Sequence, residues 1–154
     1  MTQTDQELDR IERRIEIDAT AEKVWGLIER PGWWINEHEV DPDPTIRDEG
    51  DGLAVVVHPT WGEFRIQTVE TDRPRRLTYR WLDNDHPDTG TLVEFAIEDR
   101  SEGGVTLTVV ESGFTGLKKD REAIARHVTE NTEGWELELR AARRFVLGDL
   151  GDTA

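Results

Sequence analysis

The sequence predicts an α+β domain in which one long helix packs against a curved antiparallel sheet. Three observations predict this class. Apolar and polar residues alternate in most segments between residues 53 and 113, which is the period of strands with one buried face. Short turn sequences separate these segments, so neighbouring strands are expected to be antiparallel. Beyond residue 120 the apolar spacing changes to three and four residues, the period of a helix.

The first elements are predicted to be a strand and two short helices. Alternation over residues 13–17 indicates a strand with one apolar face. Thr20 is a suitable N-cap for a helix whose apolar stripe covers residues 24–28. Pro31-Gly32 ends this helix, and residues 33–35 are expected to form a second short helical turn.

The sheet is expected to contain about six strands. The stretch 37–51 holds seven acidic residues and two prolines, and it is predicted to be a loop with at most a short edge strand near residues 45–46. This loop would lie near one end of any cavity under the helix, and we expect it mainly to solvate the protein. The remaining strands are predicted at residues 53–57, 61–70, 77–81, 93–97 and 105–110.

The last element is predicted to be a helix from about residue 120 to 147, roughly 42 Å long at 1.5 Å per residue. Gly148 follows as its C-cap. A helix of this length must lie across a broad surface, and the sheet supplies one. The predicted inner face of the helix contains Ile124, Val128, Asn131, Trp135, Leu139, Ala142 and Phe145. The chain is interpreted as a flexible N-terminus, residues 1–10, followed by one domain, residues 11–150.

Four stretches in sequence order carry a family resemblance: residues 15–25 with Trp33-Trp34, residues 62–81, residues 91–114, and Gly134-Trp135 on the final helix. Together they resemble the helix-grip (START-like, SRPBCC) superfamily, and within it the AHSA1-like family named for the C-terminal domain of the activator of the Hsp90 ATPase. The resemblance implies a sheet wrapped around the long helix, with an apolar cavity between them. It also implies that an Hsp90-type chaperone is a possible partner.

Composition excludes several classes of function. The 154 residues include 34 acidic and 19 basic side chains, so the net charge is −15. This charge argues against binding to nucleic acid and to anionic membranes, both of which attract Lys and Arg. Without Cys there are no disulfides and no thiolate metal sites. No apolar run approaches the roughly 20 residues of a membrane span, and the N-terminus lacks the apolar stretch of a signal peptide. We therefore expect a cytoplasmic protein without membrane insertion, monomeric or homodimeric.

Aromatic and polar residues on the predicted inner faces are candidates for lining a ligand cavity. Aromatic walls with a few polar groups are typical of small-molecule sites, although core packing is the commoner role for any one aromatic residue. Asn131 interrupts the apolar stripe of the helix beside His127, and a buried amide needs a partner. The candidates are Trp34, Trp61, Phe64, Tyr79, Trp81, Phe95, Phe114, His127, Asn131 and Trp135.

Catalytic and metal-binding patterns are weak. Two strand carboxylates, Glu94 and Glu111, are expected on the solvated outer face of the sheet. Ser101 and Ser112 lie in turns without a nucleophile motif. His38 lies among acidic residues, but it lacks the spacing of a metal site and is expected to belong to a solvated loop. The sequence therefore predicts no metal and no cofactor.

Three functions remain open at this level. The first is non-catalytic binding of a small hydrophobic or aromatic ligand, lipid-like or polyketide-like, between the sheet and the long helix. The second is a co-chaperone-like module that contacts an Hsp90-type chaperone through its acidic surface. The third is a cyclase- or dehydratase-like enzyme in which His127 and a strand carboxylate act as acid and base.

Overall fold

The computed structural model describes residues 9–86 and 88–148 of the chain. It contains seven strands, two α-helices and one 3-10 turn, Phe114–Gly116. The strands are β1 (Arg10–Ile17), β2 (Thr45–Gly50), β3 (Leu53–His58), β4 (Gly62–Asp72), β5 (Arg76–Leu82), β6 (Gly90–Asp99) and β7 (Val105–Ser112). The helices are α1 (Ala21–Ile28) and α2 (Arg121–Leu147). The predicted flexible N-terminus lies outside the described residues up to residue 8, and Arg10 begins β1.

All seven strands form one antiparallel sheet in the order β1-β7-β6-β5-β4-β3-β2. Consecutive strands from β2 to β7 are neighbours, as expected when short turns connect them. The exception is β1, which pairs with the last strand, β7, and places the start of the domain at the sheet edge. The long helix α2 follows β7 and packs beside β1, where Arg13 Nε donates to Glu136 Oε2 at 2.9 Å.

The predicted α+β class with a long C-terminal helix is confirmed, and the caps agree with the sequence pattern. Thr20 Oγ1 accepts from the backbone N of Lys23 at 3.2 Å at the start of α1. Asp120 caps α2 by accepting from Ala123 N at 2.8 Å. Gly148 closes α2 with a φ of 74°, in the left-handed region that suits glycine. Among the residues described, no helix is both long and apolar enough to cross a membrane.

One detail of the prediction is wrong. One helix follows β1, not two, because Gly32 takes a φ of +71° after Pro31 and residues 33–35 continue as turns. A Cβ at Gly32 would lie 2.6 Å from Val56 Cγ2, so the turn needs a glycine there. The sheet of about six strands is confirmed with seven, because the edge strand allowed near residues 45–46 extends over residues 45–50 as β2. This edge strand is mostly exposed, so it lacks the alternation that marks the others.

The core lies between the concave face of the sheet and α2, and its centre is filled with aromatic rings. Trp33 and Trp34 enter it from the turn after α1, Tyr79 and Phe95 from the sheet, and Trp135 from α2. The ring centroids of the pairs in contact lie 5.5 to 6.3 Å apart. Such spacings are those of packed aromatic pairs. The room left for a ligand is therefore at the margins of this cluster.

Candidate functional site

Two cavities lie along α2 at the margin of the aromatic cluster, and both are lined in part by Trp81. The first, here called the cleft, has a volume of about 230 Å³. Its apolar walls come from Phe64, Trp81, Leu82 and Leu117, and its polar groups include Thr91, Glu111, Lys119 and His127. The second, here called the cage, has a volume of about 160 Å³. It is lined by Trp34, Asn36, His38, Trp81, Asn131, Gly134, Trp135 and Glu138.

Glu111 is the polar group on which the cleft and the cage both depend. It follows Val109 by two residues on β7, so the strand period turns its side chain inward. The side chain is 0% exposed. Three side chains donate to its carboxyl group: Thr91 Oγ1 to Oε2 at 2.5 Å, Asn131 Nδ2 to Oε1 at 3.0 Å, and Trp135 Nε1 to Oε1 at 2.8 Å. The partners come from β6 and α2, so the carboxyl joins sheet and helix.

The electrostatics of Glu111 follow from this burial. Loss of water raises the pKa of its carboxyl group above the usual 4.5, and the three hydrogen bonds oppose that rise. None of the three donors is a cation. A buried carboxyl group without a cationic partner favours its neutral form. Glu111 can therefore hold a proton at higher pH than an exposed glutamate can.

His127 lies one helical turn before Asn131 and lines the cleft. Lys119 Nζ lies 3.1 Å from His127 Nδ1 and donates to it, which leaves the ring proton on Nε2. Burial, followed by the charge of Lys119, lowers the pKa of this imidazole. The His127 ring also meets the Phe114 ring at 84°, with a centroid distance of 5.2 Å. The cleft thus contains a neutral imidazole and a carboxyl group that resists ionisation.

Glu138 gives the cage a different chemistry. Its side chain is buried, with 5% exposure, and its Oε2 lies 3.3 Å from His38 Nδ1. The other oxygen, Oε1, has no hydrogen-bond partner within the described part of the chain. Burial raises the pKa of Glu138 to about 8, against hydrogen bonds from the 36–38 segment and the charge of Arg144. Among the described residues Trp34 Nε1 also lacks a partner.

The cavity-lining residues predicted from the sequence lie in the cleft, in the cage, in the core and, for Trp61, on the surface. Phe64, Trp81 and His127 line the cleft, and Trp81 also lines the cage. The cage further includes the predicted Trp34, Asn131 and Trp135. The core holds Tyr79, Phe95 and Phe114, all essentially buried.

Trp61 lies apart from both cavities. Its side chain is 49% exposed and stacks on His58 with a centroid distance of 4.1 Å. Tyr79 likewise has a structural partner, because its hydroxyl donates to the backbone oxygen of Ile28 at 2.6 Å. A ligand-binding role for these residues stays a prediction.

The sequence interpretation missed the two buried carboxylates. Glu94 is exposed as expected, but Glu111 is not on the outer face. The signal was present, since Glu111 shares the parity of Val105, Leu107 and Val109. Glu138 lies three residues after Trp135, on the buried face of α2. Around His38 and elsewhere in residues 9–86 and 88–148, no group of three or more His, Asp or Glu side chains is placed to hold a metal ion.

One protein family matches most of the chain. The family described as "Activator of Hsp90 ATPase homolog 1-like protein" matches residues 18–142. No curated protein matches the sequence.

Solved structures match over nearly the full length. A protein from Thermobifida fusca has a TM-score of 0.67 at 22% identity, covering 92% of this chain and 95% of the other. Protein BH1534 from Bacillus halodurans has a TM-score of 0.64 at 23% identity, covering 89% of this chain and 96% of the other. The Aha1 dimer from Colwellia psychrerythraea has a TM-score of 0.62 at 17% identity, covering 93% of this chain and 98% of the other. These likenesses establish the fold.

Removing the Glu111 carboxyl should destabilise the protein. In Glu111→Ala the donors of Thr91, Asn131 and Trp135 lose their acceptor inside the core. We expect a loss of about 3–5 kcal/mol in the free energy of unfolding, measured by urea denaturation. Glu111→Gln should lose less, because its amide can accept from Asn131 and Trp135 and donate to Thr91. Exposed Glu94→Ala is the control and should change stability by less than about 0.5 kcal/mol.

The pH dependence of the same variants tests the charge state. The pKa of Glu111 is raised in the folded protein, so its contribution to stability is full below about pH 4.5 and declines as the pH rises towards the folded pKa. The stability of the native protein relative to Glu111→Gln should therefore fall with rising pH from that point. A Glu111→Ala protein as stable as Glu94→Ala, or a relative stability that rises with pH, would contradict this assignment.

Proposed function

The chain belongs to the family of activator of Hsp90 ATPase homolog 1-like proteins, and on that premise we propose that it is a cytoplasmic protein that binds a small hydrophobic or aromatic ligand between its sheet and α2. The observation that carries the proposal is the cleft. It combines apolar walls from two strands and the segment before α2 with buried polar groups at one side. Ligand sites are typically built in this way.

The size of the cleft narrows the class of ligand. Pockets for drug-sized molecules measure about 300–1,000 Å³, and the cleft measures about 230 Å³. The packed rings of Trp34, Phe95 and Trp135 stop it from extending into the centre of the core. A one- or two-ring aromatic compound fits this room better than a long acyl chain does.

The polar groups of the cleft favour an oxygenated ring. Lys119 and His127 supply a positive charge and an imidazole at the outer part of the lining. Thr91 and Glu111 form the buried part. Because the pKa of Glu111 is raised, the floor of the cleft favours a neutral ligand group over an anionic one. A phenol or an aromatic ketone provides such a group.

A panel of one- and two-ring phenols, aryl ketones and long-chain fatty acids tests this proposal. Ligand-observed NMR should detect binding of ring compounds, and isothermal titration should give their affinities. We expect Phe64→Ala to weaken binding about tenfold, equivalent to about 1.4 kcal/mol, because it removes one wall of the cleft. Trp61→Ala is the matched control, since Trp61 is an exposed aromatic residue on the same hairpin that lines neither cavity. No binding by any ring compound, or equal loss in both variants, would refute the proposal.

A co-chaperone-like role is the second candidate, and the description of the matching family favours it. In this case the acidic surface would dock on a basic surface of an Hsp90-type chaperone, as a monomer or a homodimer. The segment after the 33–35 turn offers a suitable patch, since Glu37, His38 and Glu39 are exposed next to one another. Charge complementarity of this kind accelerates association and weakens with salt.

The ATPase rate of the Hsp90-type chaperone from the same organism tests the second candidate. Addition of the protein should raise the rate, and the increase should shrink at high salt. Glu37→Lys with Glu39→Lys should abolish the increase if the acidic patch makes the contact. Glu70→Lys with Glu98→Lys changes the net charge equally at exposed sites on the sheet and is the control. An unchanged ATPase rate would count against this role.

Acid–base chemistry is the third candidate, since His127 and Glu111 line the same cleft. A neutral imidazole and a carboxyl group that holds a proton are suitable as a base and an acid. A cyclase- or dehydratase-like enzyme would convert the compound that it binds. In the ligand panel this candidate therefore predicts a product, either lighter by one water after dehydration or of equal mass with a changed NMR spectrum after ring closure, whereas simple binding leaves the compound intact.

A further inference from the structure

The cage differs from the cleft in the kind of group that its lining can recognise. Three indole rings form its apolar part, from Trp34, Trp81 and Trp135. Its acidic group is Glu138, and neither Lys nor Arg is among its described lining residues. The cleft, in contrast, includes Lys119 together with Asp83 and Glu111. Of the two cavities, which share Trp81, the cage is therefore the one whose described lining has an acidic group and no Lys or Arg.

The carboxyl group of Glu138 is short of partners for its degree of burial. Glu138 is only 5% exposed, and its Oε1 accepts no hydrogen bond from any described residue. Its other oxygen lies 3.3 Å from Nδ1 of His38, whose side chain is 57% exposed, and Asn36 and the His38 backbone are its remaining polar neighbours. Arg144 lies close by, but its Nη2 donates to the backbone oxygen of His38 at 2.9 Å. A buried carboxyl group in this situation gains from a positively charged donor.

The indole rings favour the same kind of group. Trp81 and Trp34 meet at 70° and Trp34 and Trp135 at 44°, each with centroids 5.6 Å apart, so the three rings that line the cage are inclined to one another. An ammonium ion is attracted to the face of an indole ring, and several such rings together recognise organic cations. The effect is larger where water is excluded.

The surroundings attract cations as well. The cage is bordered by Asn36 and His38, which belong to the acidic stretch with exposed Glu37 and Glu39. The chain as a whole has a net charge of −15. A field of this sign raises the local concentration of cations and repels anions.

From these observations we infer that the cage binds the ammonium group of a small organic amine, with the charge held by Glu138 and by the faces of Trp34, Trp81 and Trp135. The volume of about 160 Å³ suits an amine with a single ring or a short chain. This site is distinct from the cleft, and the inference does not rest on the proposed ligand of the cleft.

Binding of an amine has a consequence for the proton on Glu138. The pKa of Glu138 is about 8 in the free protein, so the carboxyl group is mostly protonated at pH 7. A bound ammonium ion favours the ionised carboxylate, and the proton is then released to solvent. The groups that face Glu138 are Asn36, His38, Arg144 and the cage indoles.

Isothermal titration with benzylammonium and benzyl alcohol tests the inference. The two probes have nearly the same shape, and only the first is charged at pH 7. We expect the amine to bind the native protein at least tenfold more tightly than the alcohol. Glu138→Gln should weaken amine binding at least tenfold and leave alcohol binding unchanged. Glu133→Gln is the matched control, because it makes the same substitution at an exposed position on the same helix.

A second measurement uses the native protein alone. Titration of the amine at pH 7 in phosphate and in MOPS should give different heats. The expected difference is the release of close to one proton multiplied by the difference between the ionisation enthalpies of the two buffers, neither of which is a free primary ammonium ion. Equal affinities for amine and alcohol, amine binding that survives Glu138→Gln, or heats that are the same in both buffers would overturn the inference.

Discussion

The structure depends on the buried carboxyl group of Glu111. Its three donors come from β6 and α2, so a single side chain on β7 fixes the helix across the sheet. Leaving a buried polar group without a partner costs more free energy than its hydrogen bond contributes when formed. Loss of any one member of this network therefore destabilises the others. Thr91 lies on the cleft side, whereas Asn131 and Trp135 lie on the cage side. The same contact therefore determines both cavities.

The aromatic core determines where a ligand can bind. The resemblance to helix-grip proteins predicted a cavity between sheet and helix, and in this chain the rings of Trp33, Trp34, Phe95 and Trp135 occupy its middle. Beside these rings lie two small cavities, and Trp81 lines both. The cleft includes Lys119, whereas the cage has Glu138 and neither Lys nor Arg among its described lining residues, so the two cavities differ in the groups that they can recognise.

Most of the fold could be predicted because burial on one face imposes a period on the sequence. The strands from β3 to β7 and the whole of α2 follow from that period, and the capping residues Thr20 and Gly148 follow from turn chemistry. Only a short edge strand near residues 45–46 was predicted where β2 lies, and its full length escaped prediction because its side chains are mostly exposed. Glu111 and Glu138 are at positions that the periods assign to the interior. They were missed because a carboxylate is normally found in water, and only tertiary contacts reveal the donors that hold it.

If ligands bind at the two margins of a filled core, a crystal structure of the protein soaked with a mixture of small phenols and benzylammonium should show them there. We expect density for a ring beside Phe64 and Thr91, density for the amine beside Glu138, and unbroken contacts among the rings between them. An open cavity in the place of the Trp34–Trp135 contact, with a ligand bound there, would show instead that the core is not filled.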